Sequence, residues 1–467
     1  FHPPVLDIFP AMVHPTLAKE GVAVAERSGR VGGWLEALDR GPRPEDFKHL
    51  QSLIGLKWVR EALERSGTET LRRRKLPNEV VVWLVIGLAM FRSWSIEYTV
   101  KHLGLGSQAG KGPVGKFVSS AAIVKARVRV GVSALLELFE ITALSWIREF
   151  ENFNRWRDLR LFALDGSTLR VADTAGNEEV YGRPGSSRSP AAYPQARLVA
   201  IVGVGCRMVL DFVVGTLAQS EQVLAQMLLG NLPARSLLLL DRGFVNYAIF
   251  ARLIQAGGDF LCRAKKGLKA KIVRVLGPGD VLIELTVSAR HRREDPTLPK
   301  TIVVRRLDYC IAGFKPQQLF TSLLDPEAYP AREVIALYHK RWEIEIAYDE
   351  IKTHTLEREE TLRSRNPELV LQEIYGLLLA YNLVRVLMAR AARQAGVEPY
   401  RMSYRNSLLE ARVFLMGAWA VAPGALPRHY QRLCMELAHL VLPERRSRRY
   451  PRAVKIKMSS YPRKTPN

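Results

Sequence analysis

Cysteine is scarce in this chain and never paired: Cys206, Cys262, Cys310 and Cys434 are the only four, and no CxxC occurs. That excludes a zinc knuckle and a disulfide framework, and leaves four small core residues of a reducing compartment. Long apolar runs are also missing. The longest, VVVWLVIGLAMF from Val80, has 12 residues, too few to cross a bilayer. A complete P-loop is absent as well. GKGPVGKF (110–117) has the glycines and lysine, but Phe117 stands where serine or threonine must hold magnesium, and the stretch follows a helical segment. We read it as a turn between helices. Acidic residues are outnumbered, 46 against 69 lysines and arginines, for a net charge of +23. Such an excess points to a polyanion, nucleic acid before membrane. No secretory leader is visible, so the expected home is the cytoplasm, alongside DNA.

What is present falls into regions. A length of 467 residues calls for more than one unit. Residues 1–150 read as helical: HLQSLIGLKWVREALERSG and PNEVVVWLVIGLAMFRSWSIEYTVKHL repeat apolar residues at three and four, around the basic knot LRRRKLP. Ser120 is the expected N-cap of the helix that follows the glycine-rich break. The period then shortens. LRLFALDG (159–166), ARLVAIVGVG, RMVLDFVVG and SLLLLDRG (236–243) read as strands, with a hairpin around Gly205, Cys206 and Arg207, while SEQVLAQMLLG and VNYAIFARLIQAGG read as helices. From Lys265 to Phe320 strands dominate; beyond Pro330 the chain is helical again and ends in a basic tail.

YHKRWEIEIAYDEIK (338–352) raises a question that composition does not. On an α-helix with Tyr338 at zero, Arg341, Glu345 and Lys352 fall within an arc of about 60°, Asp349 flanks it, and Glu343 points about 140° away. Two readings stay open: a solvated face of i,i+4 ion pairs, or basic and phenolic groups that grip phosphates beside one metal-ligating carboxylate. The second needs partners. Asp165 in LFALDGST and Asp241 in SLLLLDRGF each end an apolar strand at a turn. If those strands are neighbours, both carboxylates leave the same sheet edge, and a helix packed there can add Glu345. Three acids at one point demand a cation. Asp173, Asp211, Asp259 and Asp349 are the acids most able to compete, and Asp211 reads as a paired strand acid.

These residues resemble the DDE transposases of the insertion sequence 4 family. Tyr338, Arg341, Glu345 and Lys352 match its Y-x2-R-x3-E-x6-K signature, LDGST and LLDRGF look like its two aspartate motifs, and RRRKLPNEVVVWLVIGLAMF and RRYPRAVKIK are similar to its helical start and basic end. The resemblance implies an α/β fold: an RNase H-like catalytic core interrupted by a mostly β insertion, with a helical N-terminal DNA-binding region and a helical, basic C-terminal region. The expected division is 1–150, 151–265, 266–320 (the insertion), 321–400 and 401–467. It implies cut-and-paste transposition in which Asp165, Asp241 and Glu345 hold two magnesium ions, manganese substituting. Tyr338, Arg341 and Lys352 would hold phosphates near the transposon end, Trp342 would support the site or touch DNA, and Arg242 would brace Asp241 or neutralise phosphate. Cleavage through a DNA hairpin is implied, with an insertion aromatic (Tyr309, Phe314 or Phe320) a candidate for the flipped base. The partners would be terminal inverted repeats, target DNA and a second protomer, with residues 366–395 and the C-terminal region as dimerisation candidates; no membrane is involved. A catalytically silent DNA-binding regulator and a nuclease without strand transfer are the competing functions.

Overall fold

Alternation of apolar and half-buried residues from Leu159 onward becomes one long sheet, and the helices on either side of it in the sequence become its cover. The computed structural model describes residues 54–70, 76–102, 119–185, 191–265, 270–311, 315–357, 361–418 and 425–444. The basic tail, most of the basic knot and GKGPVGKF lie outside them.

Among the described residues five helices come first: α1 (Leu56–Arg65), α2 (Asn78–Met90), α3 (Ile96–His102), α4 (Ser120–Val130) and α5 (Ser133–Glu149). The single helical stretch expected over α2 and α3 is broken. Phe91 and Trp94 stack at 4.2 Å, and Ser95 then caps the new start by accepting from the Tyr98 amide. The cap of α4 is Ser119, whose hydroxyl accepts from the Ala122 amide, one residue earlier than expected; Ser120 instead donates to Glu97.

The sheet follows. Its strands are β1 (Arg155–Trp156), β2 (Leu159–Val171), β3 (Gln195–Gly203), β4 (Val209–Gly215), β5 (Ser236–Leu240), β6 (Asp259–Arg263), β7 (Lys271–Gly277), β8 (Asp280–Thr286), β9 (Thr301–Tyr309), β10 (Gln317–Thr321) and β11 (Thr361–Leu362). Between them lie α6 (Ala175–Tyr181), α7 (Glu221–Leu228), α8 (Tyr247–Gln255) and α9 (Ala289–Glu294). The order is β4-β3-β2-β5-β6-β10-β9-β8-β7, with β1 and β11 added on β2. β2, β3 and β4 are antiparallel, β5 and β6 run parallel to β2, and β10 returns antiparallel to β6. The strands after Lys265 therefore continue the same sheet through the β6–β10 pair.

Helical backbone then runs from α10 (Ala331–Tyr338) through a 3-10 turn (His339–Arg341) and α11 (Trp342–Asp349) into a π turn (Glu350–Thr355). A uniform 100° per residue fails here, because the 3-10 turn winds tighter and the π turn wider than an α-helix.

α12 (Pro367–Ala395) crosses the molecule. Asn366 caps it by accepting from the Glu368 and Leu369 amides, Pro367 opens it, and Gly396 closes it at φ +65°. Gly376 is the point of closest approach to α2, where an added Cβ would lie 2.6 Å from Val85. By length and composition α12 could cross a membrane, but 89% of its apolar window is buried inside the protein. α13 (Tyr404–Ala418) and α14 (Leu426–Ala438) end the described chain.

Candidate active site

Asp165 lies in the middle of β2, opposite Ala200 of β3. The expectation that it ends its strand is corrected: β2 goes on to Val171, because β3 and β11 both extend the pairing. Asp241 does end its strand, one residue after Leu240, whose partner on β2 is Leu164. The two aspartates thus occupy adjacent positions on neighbouring parallel strands, as the sequence required.

The helical segment meets this pair of strands at two points. Tyr348 donates its hydroxyl to the Asp165 carbonyl at 2.7 Å, and Tyr338 donates to the Leu240 carbonyl at 3.3 Å. Between these contacts in the sequence stand Arg341 and Glu345. The Arg341 guanidinium donates to Glu345 at 2.7 Å, and its other nitrogen lies 3.9 Å from Asp165. One cation is shared by a helix carboxylate and a strand carboxylate.

The electrostatics follow from that crowding. Burial lifts the Asp165 carboxyl from 3.8 to about 6; Asp241 and Glu221 push it the same way, while its hydrogen bond from the Gly166 amide and the charge of Arg341 oppose. Glu221, at the start of α7, comes within reach because Gly166 has no side chain: a Cβ there would lie 2.4 Å from the Glu221 carboxyl carbon. Arg197 partly neutralises Glu221 from 3.5 Å. Sequence reasoning missed both Glu221 and Tyr348. The glycine after Asp165 was the only local signal, and it marks space without saying what fills it.

The other expected residues are less uniform than one arc implies. Tyr338 is buried with its hydroxyl engaged at the end of β5. Trp342 is 43% exposed, with the Arg341 guanidinium 5.7 Å from its ring. Lys352 is half-buried in the π turn, and Arg242 is exposed in the turn after Asp241. Glu343 does face away, as the wheel required, into a buried cluster with Arg207. The competing acids are occupied elsewhere: Asp173 by Arg183, Asp211 by Asn231, Asp259 by Ser322 and Asp349 by Thr353. Of the insertion aromatics, Tyr309 and Phe320 are buried and thereby corrected as base acceptors, and Phe314 lies outside the described residues.

Among the described residues no three His, Cys, Asp or Glu side chains are grouped tightly enough to hold an ion. Asp165 within β2, Asp241 just after β5 and Glu345 on the helix are nevertheless oxygen donors of the kind a hard divalent cation takes.

Comparison with known proteins bears on the whole chain. A family profile described as Insertion element 4 transposase N-terminal matches residues 44–140, and one described as Transposase DDE domain matches residues 156–383. Over 435 residues the chain is 34% identical to "Transposase InsG for insertion sequence element IS4" of Escherichia coli (strain K12), covering 91% of this chain and 97% of the relative. A solved piggyBac transposase synaptic complex with hairpin DNA aligns over 86% of this chain and 88% of that one at 10% identity, with a TM-score of 0.40. At that level it adds nothing to the assignment.

Proposed function

Because the chain belongs to the insertion sequence 4 family of DDE transposases, we propose that it cuts its element's terminal inverted repeats through a DNA hairpin and joins the freed 3′ ends to target DNA. The observation that supports this reading is the register of parallel neighbours β2 and β5, which sets Asp165 beside the position where Asp241 follows β5, with the helix that carries Glu345 anchored on both strands and Arg341 reaching both Glu345 and Asp165. The strand order β4-β3-β2-β5-β6, three antiparallel then two parallel, supports an RNase H-like core, with 266–320 as the insertion that widens it.

DDE domains work with divalent metal ions. In this chain Asp165, Asp241 and Glu345 would hold them, two magnesium ions on our reading, with manganese able to substitute. When bound, the ions supply activation of the attacking water or 3′-hydroxyl and stabilisation of the leaving oxygen. The chain's own residues do the placing. Register and the two tyrosine anchors hold the carboxylates rigidly. Arg341, released from Glu345, has the planar fork that grips a phosphate in two places, and Lys352 adds a point charge nearby. Trp342 offers an exposed ring to an unstacked base. The net charge of +23 supports tight, salt-dependent contact with the phosphate backbone. A dimer holding paired ends in the cytoplasm completes the reading.

The test is a linear DNA carrying the element's own ends, incubated with magnesium and the wild type or Glu345→Gln, then resolved on denaturing gels. Nicks, hairpins and joined products from the wild type, and none from a variant that still binds the ends, are expected. Binding without cutting by either protein would instead favour the silent regulator, and cutting without joining the plain nuclease.

A further inference from the structure

The face of the helical segment opposite Glu345 is held by charge rather than by packing alone. Arg207, at the tip of the β3–β4 hairpin, donates to Glu343 at 2.6 Å and to Glu350 at 2.7 Å, and all three are buried. Glu343 and Glu350 are seven residues apart, two turns along one helix face. Glu343 and Glu345 are about 200° apart, so whatever rotates one rotates the other. Glu350 is also the first residue of the π turn, where the α-helical phase ends. Tyr381 and Arg385 of α12 hold it there from 3.0 and 3.5 Å.

The hairpin tip is itself fixed. Asn154 accepts from the Gly205 and Cys206 amides, Arg385 donates to the Cys206 carbonyl, and the Tyr381 hydroxyl lies 2.9 Å from the Arg207 carbonyl. Arg207 sits at φ +55°, a left-handed conformation that glycine or asparagine adopts with less strain. Unlike Arg157 and Arg235, which share this conformation at exposed positions, Arg207 turns its guanidinium into the interior. A stability role explains this poorly, since burying two carboxylates with two guanidiniums costs about as much as it returns.

We propose that Arg207 is a positioning residue for the reaction: by gripping Glu343 and Glu350 it sets the rotation at which the helix presents Glu345 to Asp165. The connection is continuous. Asp165 pairs with Ala200 on β3, β3 leads into the tip, and the tip's one cation holds the helix. The inference rests on the role of Glu345 proposed above.

The test uses the full chain. Arg207→Gln/Glu343→Gln removes one cation and one anion together and leaves the Arg385–Glu350 pair intact, so it avoids a stranded buried charge. Three readouts are taken: thermal melting, manganese binding followed by electron paramagnetic resonance, and hydrogen exchange by peptide. The expected result is a melting temperature within a few degrees of wild type, manganese binding about tenfold weaker, and faster exchange over 342–355 with 159–171 unchanged. Arg207→Lys, which keeps a cation, should restore part of the manganese affinity and serves alone if the double variant does not fold. Wild-type manganese affinity in a folded double variant would overturn the proposal, as would exchange rising equally in β2. If the wild type binds manganese through Glu345 but cuts no end DNA, the transposase reading fails and the positioning role stands. If Glu345→Gln leaves manganese binding unchanged, the site reading fails and the positioning role, which rests on it, is overturned with it.

Discussion

The guanidinium of Arg341 donates to Glu345 at 2.7 Å and thereby engages a carboxylate that divalent metal would need. The same group is the nearest cation to Asp165. Arg341 therefore neutralises both carboxylates in the free protein, and on the proposed reading it gives way when metal and DNA bind. Arg341→Ala should tighten manganese binding to the DNA-free protein by a few-fold to about tenfold, the worth of one charge-assisted bond at a partly exposed site. Cleavage should nonetheless fall, because the phosphate loses its fork. A metal titration beside an end-cleavage assay checks both arms.

Asp165 gives the metal-free protein a pH dependence of definite sign. Its folded pKa of about 6 stands above the ordinary 3.8, so the folded state holds the proton more firmly than the unfolded chain. The stabilisation is complete below 3.8 and is lost as pH rises through about 6. In chelator, Asp165→Asn should therefore be more stable than wild type at pH 7.5 by about 2–3 kcal/mol at most, and the gap should close by pH 4. Urea titrations across that range measure it.

Tyr348 holds the helix to the strand at the Asp165 carbonyl. Tyr348→Phe keeps the ring in place but removes the hydrogen bond to that carbonyl, and should cost about 0.5–1.5 kcal/mol in denaturant unfolding. The end-cleavage rate should drop with it, since the helix carrying Glu345 loses one of its two tyrosine anchors.

Two glycines separate a tight fit from an accommodating one. At Gly205 a new Cβ would lie 1.8 Å from the Phe153 carbonyl oxygen, backbone against backbone. Gly205→Ala should destabilise by about 3 kcal/mol or more and loosen the hairpin tip. At Gly166 the obstacle is the Glu221 side chain, which can swing away. Gly166→Ala should cost less stability while lowering the Asp165 pKa, because Glu221 is displaced. Melting curves and a carboxyl titration distinguish the pair.

The strands and most helices were legible in the sequence because each is written locally, as an apolar run ended by a turn residue, and the three acids were legible only as candidates. The neighbours of those acids were not. Arg207 meets Glu343 and Glu350 across 136 and 143 positions, and no period or spacing reports such a pairing. A helical wheel placed Glu343 correctly but gave Tyr338 and Lys352 a common face with Arg341, whereas a 3-10 turn and a π turn interrupt the phase on which the wheel depends. The extent of β2 was misjudged for a related reason: β11, which prolongs it, arrives almost 200 residues later.

The site draws on three stretches of chain, and translation delivers them in order. About a hundred residues separate Asp241 from Glu345. At roughly 5–20 residues per second, the two strand aspartates wait about 5–20 s for the helix that completes them. A nascent chain halted in that interval carries the acidic pair without Arg341 or Glu345, so on the proposed reading of the site any capacity to cut DNA comes late in synthesis, gated by the ribosome before any substrate is met.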